Sequence, residues 1–283
     1  MLQFRSIILI EFKLPIMSVN KIATKDSISD SAPLPNGQIQ PEIYTQISQD
    51  IDLNSTNIAL VILATVIAAI GLIQGSQVVI IGAMVIAPLL KPNMALAIAT
   101  TFGDLSLAIR TIKVGLIEIL LALLLAILIG TFVPINLDMN EIAIRTHVEF
   151  ADVILAFASG VAGAISLTVG EQKAVIGVMV SVALLPPLVV LGMLIGSQLW
   201  QSAIQTAVLV AANIVCLNLA AIATFWVKDI RPQIDWRKFQ AGKITGIATV
   251  FWSLILVLLA IAIMMFQSQN TDMAVIHLIC ITA

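Results

Sequence analysis

The sequence predicts an all-α polytopic membrane protein of about seven transmembrane helices: two inverted three-helix repeats with proline-broken second helices, plus one extra helix. Composition is the first reason: 60% of the 283 residues are hydrophobic and 11% are charged, far from the half-apolar, quarter-charged balance of soluble domains. Recurring apolar segments of about 20 residues are the second, each long enough to cross roughly 30 Å of hydrocarbon at 1.5 Å per residue. The third is a repeated motif. Strict two-residue alternation is absent, which argues against a β-barrel.

Residues 1–56 read as a flexible cytoplasmic tail. The opening MLQFRSIILIEFK has no small-residue cleavage site after its short apolar run, so it does not read as a cleaved signal peptide. Ser, Asp, Pro and Gln then dominate, with Tyr44 the sole aromatic residue from Ser18 to Asp52, too little apolar surface to bury. Seven spans follow at about 57–74, 78–101, 112–133, 151–169, 174–197, 201–227 and 244–266. They group into a first repeat (57–134), an extracytoplasmic loop (135–150), a second repeat (151–227), a basic cytoplasmic loop (228–243) and a final helix with its tail (244–283). Lys and Arg residues fall almost wholly on one side of this arrangement, and Arg145 stands alone on the other among Asp138, Glu141, Glu149 and Asp152. Positive charge is retained on the cytoplasmic side, so the N-terminus is expected inside and the C-terminus outside a plasma or inner membrane.

Shifting the sequence by 95 positions lays Ile81-Gly82, Met84-Val85, Leu89-Leu90 and Pro92 on Ile176-Gly177, Met179-Val180, Leu184-Leu185 and Pro187. Three spans per unit is an odd number, so the second unit enters the membrane from the opposite side. Inverted units with broken helices at matching positions are the pattern of many secondary transporters.

Proline has no backbone N–H, so Pro88, Pro92, Pro186 and Pro187 are expected to leave the carbonyls of Met84, Pro88, Val182 and Ala183 without helical donors near mid-membrane. Such groups must be buried in protein or face a wet cavity. Lys91 falls near the centre of its span, where a charge costs about 2.5–3.5 kcal/mol. It requires a partner, a cavity or loss of its charge, and its place at the start of a half-helix favours an anion nearby. Glu118 is the other charge within a span, and the 95-residue shift carries it to Asn213. A Lys91–Glu118 ion pair is one expectation. The candidate solute path is therefore Pro88, Lys91, Pro92, Glu118, Pro186, Pro187 and Asn213. Asp104 is expected to cap a short helix in a cytoplasmic turn. Gly71-x-x-x-Gly75, Gly192-x-x-x-Gly196 and Gly242-x-x-x-Gly246 permit close helix contact and a homo-oligomer.

Catalysis finds little support. His147 and His277 do not form HExxH, Ser159 and Ser166 have no base within a span, and TFGD lacks the first glycine of GxGD. No GxxxxGK[ST] loop is present to bind nucleotide. No cofactor or metal is expected, Cys216 and Cys280 read as packing residues, and the basic residues form no nucleic-acid patch.

Several motifs in order, GLIQGSQVVIIGAMVIAPLLKP, FGDL with following basic residues, RTHVEFADVILAFASGVAGA, VALLPPLVVLGMLIG and Asn213, carry a resemblance to the multi-spanning bacterial and archaeal proteins grouped as domain of unknown function 389. It runs from about Ile58 to Pro232. The resemblance implies a polytopic membrane protein and supplies no substrate or catalytic residue. Lys91 departs from the family pattern, which usually has a small residue before the second proline. The expected function is a secondary transporter or channel for a small polar or ionic solute, leaning to an anion; the alternative is a membrane scaffold or partner-binding subunit.

Overall fold

The computed structural model describes residues 51, 53–137, 139–146, 148–169, 173–228, 230 and 245–264, without the side chains of 90, 169 and 173–183. The expected N-terminal tail, most of the basic loop and the C-terminal tail lie outside the described residues. The chain folds into helices α1 (Ser55–Ile73), α2 (Gln77–Ile86), α3 (Leu90–Phe102), α4 (Leu105–Phe132), α5 (Asn140–Thr146), α6 (Phe150–Val169), α7 (Lys173–Gly196), α8 (Trp200–Val227) and α9 (Thr245–Met264). Among the described residues there is no strand. Among the described residues five helices, α1, α4, α6, α8 and α9, are long and apolar enough to cross a membrane, or six spans if α2 and α3 count as one bent crossing. In α7, Leu184–Gly196 is a shorter apolar helix by the same measure. The chain is thus built as a multi-pass membrane protein.

Helix limits follow the 95-residue shift. Ser55 and Phe150 open α1 and α6, Leu105 and Trp200 open α4 and α8, and Phe132 and Val227 close the latter pair. The turns that end α3 and α7 also correspond: Gly103 and Gln198 both take left-handed backbone, at φ 68° and 61°. Glycine does so without strain, whereas a residue with a Cβ gives up about 1 kcal/mol.

The second helices differ. Pro88 disfavours helical backbone in the residue before it. Ala87 is accordingly extended (φ −65°, ψ 125°) and ends α2, and α3 departs at a bend of 51°. The second unit was expected to break at Pro186 and Pro187, but α7 runs as one helix through both. The reason lies in the register: Ala183 stands where the first unit has Pro88. Pro92, the counterpart of Pro187, falls in the first turn of α3, where a backbone N–H has no intrahelical acceptor to lose. A second correction concerns the freed carbonyls. Pro88 O is not free, because it accepts the Lys91 N–H at 3.1 Å.

The third span begins at Leu105 rather than near 112, because Asp104 Oδ1 accepts the Leu107 N–H at 3.0 Å and starts the helix ahead of its apolar run. Asp104 therefore caps the 28-residue α4, not a short separate helix.

α4 lies closely against α7. A Cβ on Gly130 would collide with the Met193 backbone, one on Gly192 with Ala126 and Leu123, and one on Gly196 with Ile127, while Ser197 Oγ donates to Gly130 O at 2.9 Å. The Gly192–Gly196 face is thereby used within the chain, not offered to a second copy. Gly160 brings α6 close to Leu217 and Ala220 of α8, though less tightly than the α4–α7 seam. Across from the α4–α7 seam, α3 meets α8 through Met94, Ala97, Ile98, Leu217 and Phe225. α9 is the least enclosed helix, with Ile247, Val250, Leu254 and Leu258 exposed as a lipid-facing surface would be. Thr245 Oγ1 ties it to Thr100 O at 2.9 Å.

Candidate functional site

The expected path residues separate into two places. At the bend of the first unit, Pro88 and Pro92 are both buried, and Pro92 packs where a Cβ on Gly115 of α4 would come within 3.1 Å. One turn further along α4, Glu118 is 2% exposed, and its Oε2 has no hydrogen-bond partner among the described residues. Thr111 Oγ1, two turns earlier on the same helix, is also buried and has no hydrogen-bond partner among the described residues. Lys91 is exposed on the second residue of α3. It makes no ion pair with Glu118, so that expectation is not met, although its charge is close enough to act on the carboxylate.

Beside this bend lies a cavity of about 310 Å³ walled by α3, α4, α7, α8 and α9, with Pro92, Asn93, Thr111 and Trp252 among its lining. Its remaining walls are mainly aliphatic. Asn93 accepts a hydrogen bond from Nδ2 of Asn218, a fully buried residue of α8 that also donates to Ile214 O at 3.0 Å. Asn218 escaped the sequence reading, which singled out Asn213 because the repeat pairs it with Glu118 and the family resemblance includes it. The available signal was a second asparagine, five residues after Asn213, in the apolar half of the span.

A larger and more polar cavity, about 520 Å³, belongs to the second unit. Its floor includes Pro187 and Asn213, and its mouth is formed by Asn140, Arg145, Glu149 and Asp152. Local structure fixes this mouth. Glu141 and Arg145 stand at i and i+4 of α5, one turn apart, and pair at 3.3 Å. Gln77 Nε2 donates to Glu141 Oε1 at 2.8 Å, and Thr206 Oγ1 donates to Arg145 O at 3.1 Å, pinning α5 to α2 and α8. The Glu149 N–H is accepted by Asp152 Oδ2 at 2.9 Å at the start of α6. Burial pulls the Arg145 guanidinium below its ordinary value, and the adjacent Glu141 opposes the change. Sequence reading used Arg145 only for orientation, although it is the sole Lys or Arg between Lys113 and Lys173.

Among the described residues, no group of three His, Cys, Asp or Glu side chains is placed to hold a metal ion. The structure thus brings Pro187 to Asn213 and Pro92 to Gly115, and leaves Lys91 and Glu118 outside both cavities.

The family model for domain of unknown function 389 (DUF389) matches residues 84–219, a stretch that holds both proline pairs, Glu118 and Asn213. An uncharacterised protein of Methanocaldococcus jannaschii is 34% identical over 218 residues, covering 77% of this chain and 68% of the relative. The chain belongs to the DUF389 family. No solved structure matches it. In this DUF389 protein the matched stretch runs from the last turn of α2 into α8, and so contains both cavities' proline contacts.

Proposed function

We propose that this DUF389 protein is a secondary transporter or channel for a small polar or ionic solute and carries out no catalytic step. The observation that supports it best is the polar cavity reaching from Arg145, Glu149 and Asp152 to Asn213, the middle residue of a buried 28-residue helix. A polar vestibule running to mid-helix is costly in a purely structural protein, which would fill it with apolar side chains.

In this reading the chain crosses the bilayer seven times, with the N-terminus cytoplasmic and the C-terminus outside, and its two three-helix units are inverted. Support comes from the packing: α4 leans on the second helix of the other unit, α7, as α8 leans on α3. The matching helix limits support it as well. Lys91 lines neither cavity, so the anion preference drawn from it is not carried forward. The mouth holds both signs of charge.

The test is uptake by sealed vesicles containing the purified protein, screened with inorganic anions, metal cations, carboxylates and amino acids. Asn213→Leu and Asp152→Asn should each lower uptake of the active solute at least tenfold. Wild-type rates in both would remove this cavity from the path; no uptake of any solute class would favour the scaffold reading.

A further inference from the structure

We propose that Glu118 is the proton-binding site of this protein, taking up and releasing the ion that couples to solute movement; this rests on the transport reading above. Glu118 is the fourteenth residue of 28 in α4, so both ends of the helix are about 20 Å away. Its side chain is 2% exposed and turned inward, with Ala122 and Ala126 continuing the same buried face. Oε2 receives no hydrogen bond among the described residues.

A carboxylate brings only acceptors to such a place, whereas a carboxylic acid brings its own O–H and no net charge. A lone, bare oxygen suits a proton better than a metal cation, which needs several oxygen ligands. Among the described residues, no group of three His, Cys, Asp or Glu side chains forms a metal site around it.

Release of the proton requires a counter-charge, and the surrounding helices limit the choices. α1 contributes no titratable side chain, nor does the described part of α7, Leu184–Gly196. α3 contributes Lys91, whose charge acts on Glu118 without being locked to it in an ion pair. On α4 itself, Arg110 and Lys113 lie towards the N-terminal end and are exposed. Lys91 sits just beyond the 51° bend, so a change in that bend alters its distance from Glu118. Proton occupancy and helix geometry are therefore linked: the neutral acid tolerates separation from Lys91, and the anion favours approach. In a cycle, one proton enters from one face of the membrane and leaves to the other, with no other reactant.

Two measurements on the full chain in vesicles test this. Infrared spectra taken as pH is raised should show loss of a protonated-carboxyl band that Glu118→Gln lacks and Glu118→Asp retains at shifted frequency. A pH gradient should drive uphill uptake in the wild type. Glu118→Gln should abolish that accumulation while unfolding in detergent at the wild-type temperature, which a merely misfolded variant would not do. No band specific to Glu118, or gradient-driven accumulation persisting in Glu118→Gln, overturns the proposal even if transport itself stands. A titrating Glu118 in a protein that moves no solute overturns the coupling role together with the transport reading.

Discussion

The α4–α7 seam and its counterpart α8–α3 occupy equivalent positions in the repeat but are packed by opposite means. In the first, Gly130, Gly192 and Gly196 allow backbone to lie against backbone, and α7 stays continuous even through Pro186 and Pro187. In the second, the corresponding residues are Phe225, Ala97 and Thr101, and the partner helix is bent at Pro88. A ring fills the space that glycines elsewhere close. The packing difference accompanies the difference in register, Pro88 at the bend of one helix and Ala183 at the matching place in the other. The same 95-residue register thus carries one continuous helix and one bent pair.

The largest expected effect comes from removing the spacer. Phe225 is fully buried, and Phe225→Ala should lower stability by about 3 kcal/mol, towards the small end for such truncations because lipid is as apolar as the core and only packing is lost. Thermal unfolding in detergent would read it; a shift indistinguishable from zero would mean that the ring fills nothing. On the other seam the damage runs in reverse. Gly130→Val forces a side chain into the Met193 backbone and should cost about 1–3 kcal/mol by overpacking, while Gly246→Val, with open space around it, should change stability by less than about 0.5 kcal/mol.

Pro88→Ala gives the first unit the residue that the second carries at Ala183. We expect the bend to relax towards a continuous helix, lengthening the distance between spin labels at Val78 and Leu105, both exposed. An unaltered distance would place the cause of the bend in packing. The smallest effect concerns helix starts: Asp104 caps α4, whereas Leu199, its counterpart before α8, supplies no side-chain cap. Asp104→Ala should therefore cost about 1 kcal/mol, measured by the same melts.

Much of this was legible in the sequence. The register that lays Pro92 on Pro187 and Glu118 on Asn213 also aligns the helix limits, because apolar runs of membrane length and the turns between them are written locally. Asp104 was readable as a cap, though not for which helix, since capping is local and the length of the helix it starts is not. Tandem prolines misled for a related reason. Sequence shows which donors are missing, but whether a helix breaks there depends on where its first turn begins and on what encloses it.

Composition and periodicity alone determined that this chain is helical, apolar and internally repeated, since burying backbone polar groups in hydrocarbon leaves few other solutions. Tertiary structure decided which proline bends its helix, that Lys91 faces outward while Glu118 faces in, and that Arg145 and Asp152 share a cavity with Asn213. Those outcomes depend on how helices distant in sequence pack, and a side chain's neighbours across a seam leave no periodic trace along its own strand of sequence.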